Sequence, residues 1–166
     1  MPDVSVIVPT LNESKVLKKC LTSIKSQKTH LDYELVIVDG ASTDNTLEVA
    51  EKYADKIITM KKKGIWRARN AGAKKAKSNY YCFVDADTWI PKNYLSSTYP
   101  VISGDSSIGA LSCAFNFDKK SKTIKMVEII CNNYLALKGL MGKGEILGFN
   151  NLISKLVPEI VINHLG

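Results

Sequence analysis

The sequence lacks paired cysteines, long apolar runs and a recognisable leader. Its four cysteines, at positions 20, 82, 113 and 131, form no CxxC pair, and two of them fall inside predicted strands, which argues against a disulfide framework or a zinc site. No apolar run approaches the roughly 20 residues that a membrane-spanning helix needs, and Met1 leads into a predicted strand rather than a secretory signal. We therefore expect a cytoplasmic protein with reduced thiols, for which peripheral contact at the cytoplasmic membrane face is the remaining route to a membrane.

The composition indicates one folded domain with a basic charge balance. Apolar residues make up 45% of the 166 residues and charged residues 23%, which is ordinary for a domain with a real core. The formal net charge of +7 favours anionic partners such as nucleotides, phospholipid head groups or nucleic acid. Nucleic acid is disfavoured, because the most basic segment has no aromatic platform or recognised binding motif.

Short β-rich runs alternate with helical patterns along the first 90 residues. This alternation predicts an α/β fold with a mostly parallel central sheet and helices on both faces. After residue 90 the pattern weakens, and glycines at 139, 142, 144 and 148 indicate a flexible stretch. The predicted strands are 4–8, 33–38, 56–60, 80–84 and 108–117, and the predicted helices are 14–27, 43–54, 65–76, 93–102 and 123–140.

Small polar or acidic clusters follow three of the first four predicted strands. They are segments 9–13 (PTLNE), 39–44 (DGASTD) and 85–87 (DAD). Ligands of parallel sheets bind beyond the carboxyl ends of the strands. We therefore expect the three clusters to meet at one edge of the sheet and to form the binding site.

Asp85 and Asp87 form a DxD pair directly after a hydrophobic strand. Two carboxylates at this spacing can reach one cation when the backbone turns, and Mg²⁺ or Mn²⁺ takes oxygen ligands while keeping positions open for water and phosphate. A diphosphate leaving group needs its developing charge neutralised. The alternative is a solvated turn with two surface acids, since the tripeptide is common by chance.

Two further features favour a phosphate-bearing or nucleotide ligand. Asp39 ends the second predicted strand, where it can accept a hydrogen bond from a base or ribose, or serve only as a turn residue. Segment 56–77 holds nine basic residues and no acid. Arg67, Arg69 and Asn70 lie in the first turns of its helix, where phosphate binds well; the alternative is a solvated helix face.

Four motifs resemble, in order and spacing, the signature of family 2 glycosyltransferases. They are Val4–Glu13 (VSVIVPTLNE), Ile37–Thr46 (IVDGASTDNT), Ala68–Gly72 (ARNAG) and Phe83–Asp87 (FVDAD). The resemblance implies a single GT-A domain, Rossmann-like, over residues 1–166. Residues 1–90 would bind a nucleoside-diphosphate-sugar donor, linked to UDP or GDP, and residues 91–166 would be a partial acceptor-side half for a saccharide or a lipid-linked acceptor.

The resemblance also implies roles for particular residues. Asp39 would contact the base, the 67–70 region would lie near base or phosphate, and Asp85 and Asp87 would bind Mg²⁺ or Mn²⁺. The predicted donor-binding residues are Pro9, Thr10, Leu11, Asn12, Glu13, Asp39, Ala41, Arg67, Asn70, Asp85, Ala86 and Asp87.

The sequence departs from the family pattern most clearly at the catalytic base. Segment 147–166 resembles the acceptor-side segment that precedes an acidic base motif in the family, and no match to that motif is found before the sequence stops, so the chain looks short or truncated at this end. The available acids are Asp118, Glu128, Glu145 and Glu159. Glu145 is the best candidate, because it lies in the glycine-rich stretch expected near the acceptor.

The inferred function is inverting, metal-dependent transfer of a sugar to an acceptor hydroxyl. The missing base leaves a second hypothesis open, namely a module that binds a nucleotide sugar without turnover. A sugar nucleotidyltransferase is disfavoured, because segment 9–13 has no glycine with which to build a triphosphate-binding loop. Transfer and donor-hydrolysis assays distinguish the first two hypotheses.

Overall fold

The computed structural model describes residues 1–118, 121–140 and 151–155. Strands and helices alternate from the first strand to the last. In chain order they are β1 Val4–Thr10, α1 Leu17–Lys25, β2 Tyr33–Asp39, α2 Thr46–Glu51, β3 Lys56–Thr59, α3 Ile65–Lys75, β4 Tyr80–Phe83, α4 Tyr94–Gly104, β5 Ala110–Ser112, α5 Lys122–Leu140 and β6 Asn151–Ser154.

The strands form a six-stranded sheet in the order β3-β2-β1-β4-β6-β5. The pairs β3–β2, β2–β1 and β1–β4 are parallel, whereas β6 is antiparallel to both β4 and β5. The predicted α/β fold with a mostly parallel sheet is therefore confirmed. One prediction about its second half was wrong, because β5 has three residues where a strand over 108–117 was predicted. β6 was not predicted at all.

The core lies on both faces of the sheet because β1 and β2 alternate their side chains between them. Val6, Val8 and Leu35 pack on the face covered by α1, α2 and α4. Ile7 and Val36 pack on the opposite face under α3. All seven residues of β1 are buried, which explains why this strand is apolar with little alternation.

Pro9 lies inside β1 rather than ending it. The last pair between β1 and β4 joins Ile7 to Phe83, while Pro9 is opposite Val38 of β2. Proline cannot donate a ladder hydrogen bond, and Pro9 lies two residues beyond the last residue of β1 that pairs with β4. The predicted strand 4–8 was therefore two residues short, because β1 continues to Thr10.

A buried polar network closes the amino edge of the sheet. The Ser5 hydroxyl donates to Glu34 Oε1 over 2.6 Å, and the Lys77 backbone N–H donates to the same oxygen over 2.6 Å. The Ser78 N–H donates to Ser5 Oγ over 3.0 Å. These bonds hold the α3–β4 connection against β1 and β2 at the edge opposite the carboxyl ends of the parallel strands.

Gly72 lets α3 pack closely on the sheet. A Cβ atom at this position would lie 2.4 Å from Ile7 Cγ2 and 3.1 Å from Val38 Cγ2. Both of those side chains lie in strands and are fully buried in the close-packed core, so they cannot move away from an added methyl group. The glycine of the ARNAG motif therefore sets the distance between α3 and the carboxyl edge of the sheet.

We predict that Gly72→Ala lowers the free energy of unfolding by about 1–3 kcal/mol, the usual cost of overpacking a core. Gly104→Ala is the matched control, because Gly104 also lies in a helix and a Cβ there meets nothing within 4 Å. That control is expected to be neutral or to stabilise by up to about 1 kcal/mol. Urea unfolding measures both, and equal stabilities for the two variants would contradict the close-packing argument.

Candidate active site

A cleft of about 350 Å³ opens at the carboxyl edge of the sheet. It is bounded by the loops that follow β1, β2 and β4 and by the start of α3, as the sequence predicted for the polar clusters. Seven of the twelve predicted donor-binding residues line it: Pro9, Thr10, Leu11, Glu13, Asp85, Ala86 and Asp87. The functional roles of these residues stay predictions.

The other five predicted donor-binding residues do not line the cleft, whereas four residues that were not predicted do line it. Gly64 directly precedes α3 and has a φ of 140°, a conformation that favours glycine. Its position before a basic helix is the sequence feature that could have identified it as a lining residue. The residues absent from the lining are Asn12, Asp39, Ala41, Arg67 and Asn70. The additional lining residues are Gly40, Gly64, Ile65 and Ala68.

Asn12 joins the β1–α1 loop to the β2–α2 loop. Its φ of 57° is left-handed, which asparagine tolerates better than most residues. Its Oδ1 accepts from the Thr43 N–H over 2.8 Å, and its own N–H donates to Ser42 Oγ over 2.9 Å. The Glu13 N–H donates to Thr46 Oγ1 over 2.8 Å. Asn12 therefore shapes the wall of the cleft from outside it.

Asp39 is completely buried, and its carboxylate organises the loop that follows β2. Oδ2 accepts from the Ser42 N–H over 3.0 Å, while Oδ1 accepts from the hydroxyls of Ser42 and Thr10. The tight turn places Ala41 at a φ of 68°, unusual for a residue other than glycine. The structure thus shows the turn role of Asp39 directly, and its contact with a base stays a prediction.

The first carboxylate of the DxD pair is held by a buried arginine. Arg69 Nη2 lies 2.6 Å from Asp85 Oδ1, and the two side chains are 7% and 25% exposed. Burial raises the pKa of Asp85, the attraction of Arg69 lowers it, and the charge of Asp87 raises it again. The Asp87 side chain is exposed. One carboxylate of the pair is therefore fixed and the other is free to meet a ligand.

Arg69, rather than Arg67, is the arginine that reaches the site. Arg67 is exposed and packs over Gly64 at the start of α3. Arg69 shares the sheet-facing side of α3 with Gly72, three residues later. The three-residue spacing between Arg69 and Gly72 is the sequence feature that indicates an inward-facing Arg69. The presence of two arginines in one basic segment does not by itself show which of them faces the sheet.

The acidic side chains at this edge suit a divalent cation that also takes ligands from another molecule. Asp87 and Asp85 offer carboxylate oxygens, and burial followed by the charge of Asp87 raises the pKa of Glu13 nearby. Within the described residues, His, Cys, Asp and Glu side chains form no group of three that could hold a metal ion. Two carboxylates with open positions for phosphate and water match the chemistry of Mg²⁺ and Mn²⁺.

The candidate bases either do not line the cleft or fall outside the described residues. Asp118 is exposed and lies 3.7 Å from Lys19 Nζ. Glu128 accepts a hydrogen bond from the Phe117 N–H. Neither residue lines the cleft. Glu145 and Glu159 fall outside the part of the chain that the structure describes, so the proposal of Glu145 as base stays a prediction.

Comparison with known proteins decides the family. The model of the family described as "Glycosyl transferase family 2" matches residues 5–154. The chain belongs to glycosyl transferase family 2. This family 2 chain is 36% identical over 104 residues to glycosyltransferase GlyA of Streptococcus pneumoniae, which is 60% of the chain and 15% of GlyA.

Solved structures of similar proteins agree with the family. The family 2 chain matches Staphylococcus aureus TarS in complex with UDP-GlcNAc at 29% identity and a TM-score of 0.64, over 72% of this chain and 36% of TarS. It matches the mannosyltransferase PcManGT of Pyrobaculum calidifontis at 24% identity and a TM-score of 0.75, over 99% of this chain and 47% of PcManGT. The GT-A fold is therefore confirmed. The chain spans 15% to 47% of the lengths of these proteins.

The helices show no membrane span. Among the described residues, none is both long enough and apolar enough to cross a bilayer. α5 nevertheless exposes large apolar side chains on its surface, including Met126, Ile129, Ile130 and Leu137. Peripheral association with a membrane stays a prediction.

Proposed function

We propose that this family 2 chain binds a nucleoside-diphosphate sugar in the cleft and transfers the sugar to an acceptor hydroxyl with inversion. The observation that carries the proposal is the meeting of the DxD pair, the β1–α1 loop and the start of α3 around one cleft in a chain of this family. TarS, at 29% identity, has been solved with UDP and with UDP-GlcNAc. This favours UDP over GDP as the nucleotide.

In the proposed donor site, the DxD pair would bind the metal ion and Asp39 would act on the nucleoside side. Asp87, with Asp85 beside it, would hold Mg²⁺ or Mn²⁺ against the diphosphate, and the cation would neutralise the charge of the leaving group. Arg69 keeps Asp85 in place. Asp39 would shape the β2–α2 loop, because its two oxygens accept hydrogen bonds from Ser42 and Thr10. It would use its remaining acceptor position for a base.

Transfer would proceed by in-line displacement at the anomeric carbon. The acceptor oxygen forms a bond to that carbon, the bond from the carbon to the diphosphate oxygen breaks, and the nucleoside diphosphate leaves with the electron pair. The acceptor proton passes to a carboxylate, a step that typically contributes 10²–10⁴-fold. We propose Glu145 for this role.

A nucleotide-sugar-binding module without turnover is the second candidate. It is favoured by one observation: within the described residues, neither Asp118 nor Glu128 lines the cleft. A donor site needs no base in order to bind, so this candidate predicts full affinity for the donor and no transfer. Transfer and donor-hydrolysis assays on the chain and on Glu145→Gln separate the two, because turnover that disappears in Glu145→Gln supports the enzyme and identifies its base.

Donor binding itself is predicted to stabilise the fold. A ligand at 100 times its Kd adds about 2.7 kcal/mol to the free energy of unfolding, which a thermal-shift measurement detects readily. We expect UDP and UDP-GlcNAc to raise Tm more in Mn²⁺ or Mg²⁺ than in EDTA, and GDP to raise it less. Absence of a shift with every nucleotide and nucleotide sugar tested would refute the proposed function in both of its forms.

A further inference from the structure

A second groove, of about 470 Å³, runs along the solvent side of α1. Lys15, Lys18 and Lys19 line it, together with three hydroxyl side chains of α1 and the ring of Trp89. Lys18, Lys19, Thr22 and Ser23 recur at three- and four-residue spacing on one face of α1. Lys15 and Ser26 continue this spacing just before and just after the helix. The groove is therefore basic and polar, and its one aromatic wall comes from the segment that follows the DxD pair.

The segment that carries Trp89 is held by contacts with α1 and with Gln27 just after it. Lys19 Nζ lies 3.2 Å from the centre of its ring. The neighbouring Ile90 N–H donates to Ser23 Oγ over 3.1 Å, and Gln27 Nε2 donates to the Pro91 carbonyl over 2.6 Å. The cation–π contact orders the Lys19 ammonium. Ordering it in advance lowers the entropy lost when an anion binds.

The charges of this groove are available to a ligand. Among the described residues, neither Lys15 nor Lys18 forms an ion pair. Lys19 has Asp118 at 3.7 Å, but both side chains are more than half exposed, and such pairs contribute little. The Thr22 and Ser26 hydroxyls donate to backbone carbonyls of α1, so their oxygens remain as acceptors.

The groove begins beside the candidate active site. Asp87 lines the cleft and Trp89 lines the groove, so their Cα atoms are within about 7 Å of each other. The Cys20 thiol, on α1, donates to the Asp85 carbonyl over 3.5 Å and ties the helix to the DxD segment. A chain-like ligand lying along α1 would therefore end next to the proposed site of transfer.

We propose that this groove binds the acceptor through a phosphate-bearing, hydroxylated segment such as a polyol phosphate or a phosphorylated saccharide. The inference rests on the proposed transferase function. The lysines would bind phosphate oxygens, the hydroxyls on α1 would accept hydrogen bonds from ligand hydroxyls, and Trp89 would act as a positioning residue for Lys19. A lipid surface fits less well, because Trp89 is the one large apolar side chain that lines the groove, and lysine already covers one face of its ring.

The test uses a fluorescein-labelled glycerol-phosphate oligomer as the probe and fluorescence anisotropy as the measurement. The double variant Lys15→Gln/Lys18→Gln should bind it about tenfold more weakly or worse, as loss of charge-assisted hydrogen bonds requires. Lys74→Gln/Lys75→Gln removes the same charge from the last turn of α3 and should change binding less than about twofold. Trp89→Ala should weaken binding more than Trp89→Phe.

UDP binding in Mn²⁺ is measured on every variant, since it reports the donor cleft and not the groove. Intact UDP binding together with loss of oligomer binding confined to the groove variants supports the proposal. Equal weakening in both lysine double variants overturns it, because the effect would then be charge alone. Binding to phosphatidylglycerol vesicles that depends on Lys15 and Lys18, without binding of the oligomer, also overturns it in favour of a lipid head group. Failure of the wild type to bind any nucleotide or nucleotide sugar, GDP included, refutes the transferase function and removes the acceptor assignment, whatever the oligomer does.

Discussion

The Asp87→Ala variant is expected to bind UDP with the same affinity in Mn²⁺ as in EDTA, whereas the wild type should bind more tightly with the metal. The reason lies in how the two carboxylates are held. Asp87 is exposed, while Asp85 Oδ1 is already engaged by Arg69 at 2.6 Å. Without Asp87 a hydrated cation keeps one partly occupied carboxylate. Mutating a group that only hydrogen-bonds to a metal ligand typically lowers the affinity for the metal 10–100-fold. Loss of a ligand itself should therefore lower the metal affinity by about 100-fold or more.

Asp32→Ala is the matched control for Asp87→Ala. Asp32 is exposed and precedes β2, at the opposite edge of the sheet. The Asp32→Ala substitution therefore removes the same charge far from the cleft. Isothermal titration calorimetry with UDP in Mn²⁺ and in EDTA should show a full metal effect in this control. A full metal effect in Asp87→Ala as well would mean that the DxD pair is a solvated turn and that the cation binds elsewhere.

The strands of the first 90 residues could be predicted from the sequence because each is a local signal. β1 and β2 are nearly continuous apolar runs, and every residue of β1 is buried. Their parallel arrangement was also predicted from the βαβ pattern, since parallel neighbours need a helical crossover. β6 gave no such signal. It has two apolar residues, Leu152 and Ile153, and its register pairs them with Cys82 and Tyr81, about 70 positions earlier in the chain.

Helix ends were predicted less well because their hydrogen bonds are made to distant segments. A helix over 14–27 was predicted, but α1 runs from Leu17 to Lys25. The Ser14 N–H donates to Asp44 Oδ2 over 3.2 Å, a partner 30 residues away. The Asp44 carboxylate also accepts from the Thr46 hydroxyl and N–H at the start of α2, and these bonds lower its pKa to about 2.

The site was predicted as a set of clusters, and the structure distinguishes residues that face the cleft from residues that support it. Asn12 and Asp39 belong to the polar clusters, yet they join loops and line no part of the cleft. Sequence position shows that a residue follows a strand, but not which way its side chain turns. Arg69 was hard to identify for the same reason. Its role depends on which face of α3 packs on the sheet, and Gly72 lies on that face.

Removal of Arg69 should affect stability more than any other single change considered. Arg69→Met is expected to lower the free energy of unfolding by about 3 kcal/mol near pH 7.5 in EDTA, because it leaves the largely buried Asp85 carboxylate, 25% exposed, without its counter-charge. Arg67→Met is the matched control. Arg67 is exposed on the same helix, and its loss should stay within about 0.5 kcal/mol.

The pH dependence distinguishes lost charge pairing from lost packing. Burial raises the pKa of Asp85 above its ordinary 3.8 and Arg69 opposes that rise, so the pKa should be higher still in Arg69→Met. A carboxyl with a folded pKa above its unfolded value binds its proton more tightly in the native state. Its stabilising effect is therefore present at low pH and is lost as pH rises through the folded pKa. The destabilisation of Arg69→Met should accordingly be larger near pH 7.5 than near pH 5.

Urea unfolding of the wild type, Arg69→Met and Arg69→Met/Asp85→Asn at both pH values completes the test. The amide in the double variant has no charge to bury, so the double variant should recover part of the stability near pH 7.5 and lose the added pH dependence. A loss in Arg69→Met that is equal at both pH values and unchanged in the double variant would contradict the charge argument. It would then point to packing, because the Arg69 guanidinium lies 4.9 Å from the Trp66 ring and 6.0 Å from the Phe83 ring.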